Sequence, residues 1–135
     1  MTIEVNWYDS KEDILHYKFG ATWGWHEYEP TVRQGRALMR TKPHYVGVIN
    51  DLRAMRESPS TLISKAHHYI ESRPENTGMA IFVSSSLFFS KIYDMLMQLY
   101  PSYVAQYQLE TDFDHALKRV RTWLDENKDT LFEVE

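Results

Sequence analysis

The chain contains no cysteine, which excludes disulfide bonds, thiolate zinc sites, iron–sulfur clusters and cysteine nucleophiles. Glycine and proline are also scarce, with five of each in 135 residues, so collagen-like and low-complexity structures are excluded. No apolar run approaches the ~20 residues that cross a bilayer, and residues 1–6 lack the features of a signal peptide. We therefore expect a cytoplasmic protein with no membrane attachment.

Basic residues are outnumbered, because 15 Lys and Arg stand against 19 Asp and Glu, giving a net charge of −4. Nucleic-acid binding needs a basic surface, so we expect no nucleic-acid partner. The Gly-rich motif of dinucleotide folds, the phosphate loop and the Gly-x-Ser-x-Gly nucleophile motif are all absent. The six histidines include no pair at metal-binding spacing. We expect neither a metal nor a cofactor, and no catalytic residues.

Five segments have the patterns of β-strands. Period-two alternation in residues 3–7 and 15–19 predicts an antiparallel hairpin at the start of the domain. Unbroken apolar runs at 45–49 and 79–83 predict two central strands that are covered on both faces. Alternation over residues 103–109 predicts a last strand with one wetter face.

Three helices are predicted between these strands. The first is expected from about Glu29, because Pro30 is tolerated only near the first turn of a helix. The second has Ser58 or Ser60 as its expected N-cap, and the third runs over residues 86–100.

A fourth helix is expected after a sequence at 111–114 that resembles a capping box, with Thr111 as the cap, and it continues to Leu124. The resulting order, β-β-α-β-α-β-α-β-α, predicts a single α/β domain over residues 1–125. Right-handed crossovers then give a mixed, mainly parallel sheet with helices packed on it. Residues 126–135 form a tail without an assignment.

Aromatic residues are unusually frequent, with 4 Trp, 9 Tyr and 6 Phe making up 14% of the chain. The sequence Trp23-Gly24-Trp25 brings two indoles to one corner of the domain, where they either plug the core or wall a pocket. The candidate pocket residues are Trp23, Trp25, Tyr28 and Phe82.

The third helix has apolar residues around most of its circumference, so either its neighbours or a partner must cover them. The candidate interface residues are Phe88, Phe89, Tyr93, Met97 and Tyr100. Three serines precede this helix and are candidates for capping it or for binding an anion: Ser84, Ser85 and Ser86.

The element order, the helix containing Trp25 and the segment 48–52 resemble the STAS superfamily, the sulphate-transporter and anti-sigma-factor-antagonist domains, over roughly residues 2–124. The resemblance implies a small regulatory protein that docks on a protein partner. The switch serine of that family lies in an Asp-Ser-Ser-Gly motif at the start of the second helix. By position the motif falls on Ser60 and Thr61, which are candidate phosphorylation sites, although its Asp and Gly are absent.

From these patterns we expect a non-catalytic regulatory or interaction module that contacts a protein partner or a second copy of itself. The alternative is a binder of a small apolar ligand in the aromatic pocket, or an enzyme without a recognisable motif.

Overall fold

The computed structural model describes residues 2–134. Five strands are found there: β1 (Ile3–Trp7), β2 (Ile14–Phe19), β3 (Val46–Asp51), β4 (Thr77–Val83) and β5 (Tyr107–Glu110). The helices of the same residues are α1 (Trp25–Arg40), α2 (Leu62–Glu71), α3 (Leu87–Leu99) and α4 (Phe113–Glu126), with a short 3-10 helix at Pro101–Ala105. The predicted α/β class and element order are confirmed.

The strands lie side by side in the order in which they occur along the chain, from β1 to β5. The pair β1–β2 is antiparallel and the other three pairs are parallel. The two predicted central strands are neighbours, since Val48 lies opposite Ala80 and Ile49 opposite Ile81. Helices α1, α2 and α3 pack on one face of the sheet and α4 packs on the other. This is expected when the three connections between parallel strands all have the same handedness.

Alternate residues of β3 point to these two faces, which we call the three-helix face and the α4 face. Val48 contributes to the core of the three-helix face and Ile49 to the core of the α4 face. The α4 face is tightly packed: a Cβ built on Gly47 would overlap Cγ1 of Val120. Glycine therefore allows β3 and α4 to approach each other closely.

The start of α1 differs from the prediction. The helix begins at Trp25, and Pro30 lies inside it, exposed, where its ring faces solvent. The amides of Glu27 and Tyr28 both donate to the carbonyl of Gly24 and close the first turn. Packing of Trp25 and Tyr28 on the core stabilises this turn and outweighs the local preference of proline.

The predicted N-caps of two helices are wrong. The N-cap of α2 is Thr61, in a left-handed conformation with φ 58°, and no side chain caps this helix. The Thr61 hydroxyl instead donates to the Ser60 carbonyl, which also accepts the indole N–H of Trp25, at 2.8 Å. At α4 the cap is Asp112 instead of Thr111, and its carboxylate accepts the amide of His115.

The last strand begins later than predicted, because the segment Pro101–Ala105 forms a 3-10 helix. The amide of Tyr103 donates to the carbonyl of Tyr100 there, and the buried Tyr103 hydroxyl donates to Glu71 of α2. In this segment the hydrogen bond from Tyr103 to α2 takes the place of the strand pairing that the sequence predicts.

Part of the tail packs on the domain. Leu131 forms an isolated antiparallel bridge with His44, and the amide of Phe132 donates to the carbonyl of Pro43, at 2.7 Å. The rings of Tyr45 and Phe132 lie with their centroids 4.8 Å apart.

Candidate functional site

A cavity of about 100 Å³ lies on the three-helix face, between the sheet and the helices α1 and α2. Its wall is rich in aromatic residues, and the rings that line it include Phe19, Trp23, Trp25, Tyr28, Tyr69, Phe82 and Phe89. The structure therefore brings Phe82 to the same cavity as Trp23, Trp25 and Tyr28, the other three candidate pocket residues.

A small side chain in the centre of the sheet, that of Ala80, leaves this space open. Val48, Ala80 and Tyr107 lie in one row across β3, β4 and β5, and all three line the cavity. Ala80 fills little of the volume between the sheet and the helices, so the row leaves a hollow under α1 and α2. The sequence analysis missed these residues, because their alignment depends on strand register.

Gly35 of α1 has a matching role on the opposite wall. A Cβ built there would overlap the hydroxyl oxygen of Tyr17, which reaches up from β2. Glycine at this position lets the Tyr17 ring extend across the layer and line one side of the cavity.

The two tryptophans hold the loop that joins β3 to α2. The indole N–H of Trp23 donates to Sδ of Met55, at 3.3 Å, and that of Trp25 donates to the Ser60 carbonyl. The two indoles are in edge contact, with centroids 5.0 Å apart. Met55 of this loop and Leu62 at the start of α2 also line the cavity, so the loop borders it.

The helices above the cavity are tied together. The hydroxyl of Tyr69 in α2 donates to the carboxylate of Glu29 in α1, and this bond lowers the pKa of Glu29. Burial and the same bond raise the pKa of Tyr69 to about 12. The ring of Tyr69 lies edge-on to Tyr28 at 4.7 Å, so the aromatic wall continues from α1 to α2.

Polar side chains also face the cavity. Asn50, Tyr17 and Tyr107 line it, and within residues 2–134 their side chains make no hydrogen bond. Tyr17 is 4% exposed and Tyr107 is 6% exposed. Their polar atoms are not sealed from solvent, because the side-chain polar atom that is fully buried without a hydrogen-bond partner in residues 2–134 is Oδ1 of Asp13.

Two arginines complete the wall. Arg36 donates to the hydroxyl of Ser72, at 3.0 Å, and to the carbonyl of Tyr69, while Arg73 donates to the carbonyl of Ile70, at 2.7 Å. These bonds fix both guanidinium groups at the C-terminal end of α2. No pattern in the sequence indicates this role, because Arg36 lies among the polar positions of the α1 periodicity and Arg73 lies in a turn.

The cavity tyrosines are neutral hydroxyl groups. Burial raises the pKa of Tyr17, with nearby Arg36 acting in the opposite direction. Burial raises the pKa of Tyr107 to about 12, opposed by Arg73 and Arg36. Burial also raises the pKa of Tyr28. At neutral pH all three therefore carry a proton that can be donated.

The third helix presents other residues to solvent than the sequence indicated. Phe89 and Met97 are buried in the core, whereas Phe88 is 60% exposed. Tyr93 and Tyr100 are half-buried: Tyr93 donates its hydroxyl to the carbonyl of Tyr107, and Tyr100 stacks on His67. The other large exposed apolar residues in this region are Leu87, Met95, Leu99 and Val104.

The three serines before α3 occupy its N-terminus. Ser86 accepts the amide of Phe89 and Ser84 accepts the amide of Ser86, so two of the hydroxyls cap the helix. Ser85 is exposed. Plain capping accounts for Ser84 and Ser86.

Ser60 and Thr61 are exposed at the start of α2. The hydroxyl of Thr61 donates to the Ser60 carbonyl, at 2.6 Å. Their phosphorylation stays a prediction.

Asp51 forms a second polar cluster, on the α4 face. Its buried carboxylate accepts two side-chain bonds and one backbone bond from Arg53, together with a contact from His16 at 3.2 Å. Burial raises the pKa of this carboxyl, but the bonds from Arg53 and His16 outweigh burial and bring it to about 2. All its acceptor positions are used within the protein, so this cluster is structural.

Between residues 2 and 134, no group of three or more His, Asp or Glu is arranged to hold a metal ion. None of the helices formed there combines the length and the apolar character needed to cross a membrane.

Comparison of the chain with protein-family models, curated proteins and solved structures gives no match. The relationship to the STAS superfamily therefore stays a prediction.

Proposed function

We propose that the chain is a non-catalytic cytoplasmic protein that binds a small, largely apolar ligand between the sheet and the helices α1 and α2. The observation that carries this proposal is the aromatic-lined cavity of about 100 Å³. Protein interiors are close-packed and rarely contain voids larger than a water molecule. An apolar cavity of about 150 Å³ takes up benzene. This cavity has about two thirds of that volume but is not enclosed, so we expect a ligand that inserts a single ring or a short alkyl chain.

The chemistry of the wall supports binding without catalysis. The residues that line the cavity include no carboxylate, imidazole or thiol. The one aliphatic hydroxyl among them, that of Thr77, donates to the carbonyl of Pro74 at 2.7 Å. Proton transfer and nucleophilic attack generally use the groups that this wall lacks.

Thermal unfolding with toluene as the probe tests the proposal. A ligand that binds only the folded state raises the midpoint in proportion to the logarithm of its concentration. We expect toluene to raise the midpoint of the wild-type protein. The effect should disappear in Ala80→Leu, where the larger side chain occupies the cavity.

Ala37→Leu is the matched control, because Ala37 lies on the solvent side of α1. This variant should respond to toluene as the wild type does. An unchanged midpoint in the wild type, or an equal rise in Ala80→Leu, would contradict the proposal.

A second candidate function is self-association through α3. Phe88, Met95 and Leu99 are 50–60% exposed and lie with half-buried Ile92 along one flank of the helix. Their spacing of four, three and four residues is the repeat by which two helices pair. We propose a second copy of this chain as the occupant, because the same flank on two copies gives a self-complementary interface.

Light scattering over a range of protein concentrations tests this candidate. We expect a dimer for the wild type and a monomer for Leu99→Glu. Gln98→Glu, which adds the same charge at the exposed neighbouring position, should remain a dimer. A wild-type monomer at every concentration would reject self-association.

A further inference from the structure

The cavity brings two cationic side chains, those of Arg36 and Arg73, to a wall whose lining residues include no anionic side chain. Resting on the proposed binding function, we infer that the ligand is a small carboxylic acid whose carboxylate is bound by Arg36 and Arg73. The apolar part of this acid lies against the tryptophans at the other end of the cavity.

The two arginines of the cavity, Arg36 and Arg73, differ from several other arginines of the described residues in having no carboxylate nearby. Four other arginines of the chain each lie within 4 Å of a carboxylate: Arg33, Arg53, Arg119 and Arg121. Arg36 and Arg73 line the cavity and are partly buried, yet neither has a carboxylate at that distance within residues 2–134. Removing a cation from water without a partner is costly, and an anion in the cavity would offset this cost.

Arg36 and Arg73 both have guanidinium N–H groups that form no hydrogen bond within residues 2–134. A guanidinium has five N–H groups in a planar fork. Arg36 uses two of its nitrogens within the protein and Arg73 uses one. The bonds to the carbonyls of α2 hold each fork in place, so the remaining N–H groups are oriented before a ligand arrives. Two parallel N–H groups of such a fork match the two oxygens of a carboxylate.

The tyrosine hydroxyls give a third argument. The side chains of Tyr17 and Tyr107 are more than nine-tenths buried and line the same cavity. Their hydroxyls have no hydrogen-bond partner within residues 2–134, and they are accessible from the cavity. Both are protonated at neutral pH, and a hydroxyl that donates to a carboxylate forms one of the stronger hydrogen bonds in proteins. An anion would therefore satisfy groups on β2 and β5 as well as the arginines.

The topology orients the ligand. Trp23 follows the end of β2, whereas Arg73 precedes the start of β4, and these strands run in the same direction. The two tryptophans and the arginines therefore lie toward opposite ends of the sheet. Arg36 lies in the second half of α1, which returns from the end of β2 toward the start of β3, so it approaches the same end as Arg73. The cavity thus has an apolar end and a cationic end.

Calorimetric titration with pairs of acids and amides tests this inference. The probes are phenylacetate, 3-phenylpropionate and octanoate, each compared with its neutral primary amide of nearly the same shape. Because hydrogen bonds to charged groups contribute about 1.5–3 kcal/mol, we expect the best acid to bind about 10–100-fold more tightly than its amide. Arg36→Met and Arg73→Met should reduce acid binding to the level of the amide without weakening the amide.

Arg40→Met is the matched control, since Arg40 is an exposed arginine of the same helix and does not line the cavity. The arginines of the cavity also bond to α2, so Tyr17→Phe and Tyr107→Phe serve as milder variants that remove only a hydroxyl. Each should weaken acid binding severalfold and leave amide binding unchanged.

The possible results separate the two proposals. Equal binding of acids and amides would overturn the carboxylate inference and leave the apolar binding function standing. Toluene and every acid and amide failing to bind would overturn the binding function itself. Equal loss of acid binding in Arg40→Met and Arg36→Met would show a general effect of net charge, and this also overturns the inference.

Discussion

Asn50 and Asp51 are neighbours on β3, but they point to opposite faces of the sheet and have opposite surroundings. The Asp51 carboxylate is bonded to Arg53 and His16, whereas the Asn50 amide faces the cavity without a partner in the described part of the chain. The α4 face pairs its polar group and is tightly packed. The three-helix face retains a hollow, which reduces stability. Such departures from good packing are expected where a protein binds something.

The largest expected effect compares isoleucines of the two faces. Ile81 is 0% exposed on the α4 face, and Ile81→Ala should lower the free energy of unfolding by about 2–5 kcal/mol. Ile70 lines the cavity, and Ile70→Ala should lie near the lower end of that range, because its side chain already borders empty space. Urea denaturation measures both values. Equal losses would mean that the two faces are packed alike.

The polar cluster of the α4 face predicts a dependence on pH. The pKa of Asp51 is about 2 in the folded protein against an ordinary value of 3.8, so its contribution to stability is complete above about pH 4. This contribution, roughly 2 kcal/mol, is lost as the pH falls from about 4 toward 2. Urea denaturation between pH 2 and 5 should show a shallower slope for Asp51→Asn than for the wild type. Parallel slopes would count against the ion pair.

Larger side chains should also destabilise the α4 face more than the three-helix face. Gly47→Ala places a methyl group against Val120, and we expect a loss of about 1–2 kcal/mol after the gain in backbone entropy. Ala80→Val adds two carbons beside the cavity and should change the free energy of unfolding by less than about 1 kcal/mol. Thermal unfolding of both variants measures the difference. A greater loss in Ala80→Val would show that the cavity is filled.

The smallest expected effect is a coupling energy at the wall between Gly35 and Tyr17. Gly35→Ala should destabilise the protein by about 1 kcal/mol, because the added methyl group displaces the Tyr17 hydroxyl. In the Tyr17→Phe background this cost should fall by about 0.5 kcal/mol, a coupling measured by a double-mutant cycle. Additive losses would indicate that the ring moves freely into the cavity.

The fold followed from patterns that are local to the chain. The unbroken apolar runs at 45–49 and 79–83 required burial on both faces, and their helical connections required parallel neighbours. Local rules failed at Pro30, where packing of Trp25 and Tyr28 adds a turn to α1 before the proline. Side-chain packing between distant segments decides such cases, and propensities do not include it.

The candidate site was visible in the sequence only where its residues are conspicuous. Trp23-Gly24-Trp25 marks a corner of the domain by composition alone. The role of Ala80 depends on its register with Val48, and that of Arg36 depends on where α2 ends. These relations exist only after the sheet and helices have assembled, so no pattern along the chain predicts them.

The position of α4 has a consequence during synthesis on the ribosome. Strands β1 to β5 and the three crossover helices all precede residue 113, so one side of the sheet is complete while the other is still bare. Until α4 packs on the sheet, Ile49 and Ile81 form an exposed apolar surface. Chaperones bind such surfaces, and nascent chains aggregate through them. A chain that ended before α4 would contain the residues that form the cavity, but the apolar residues of the α4 face would stay uncovered.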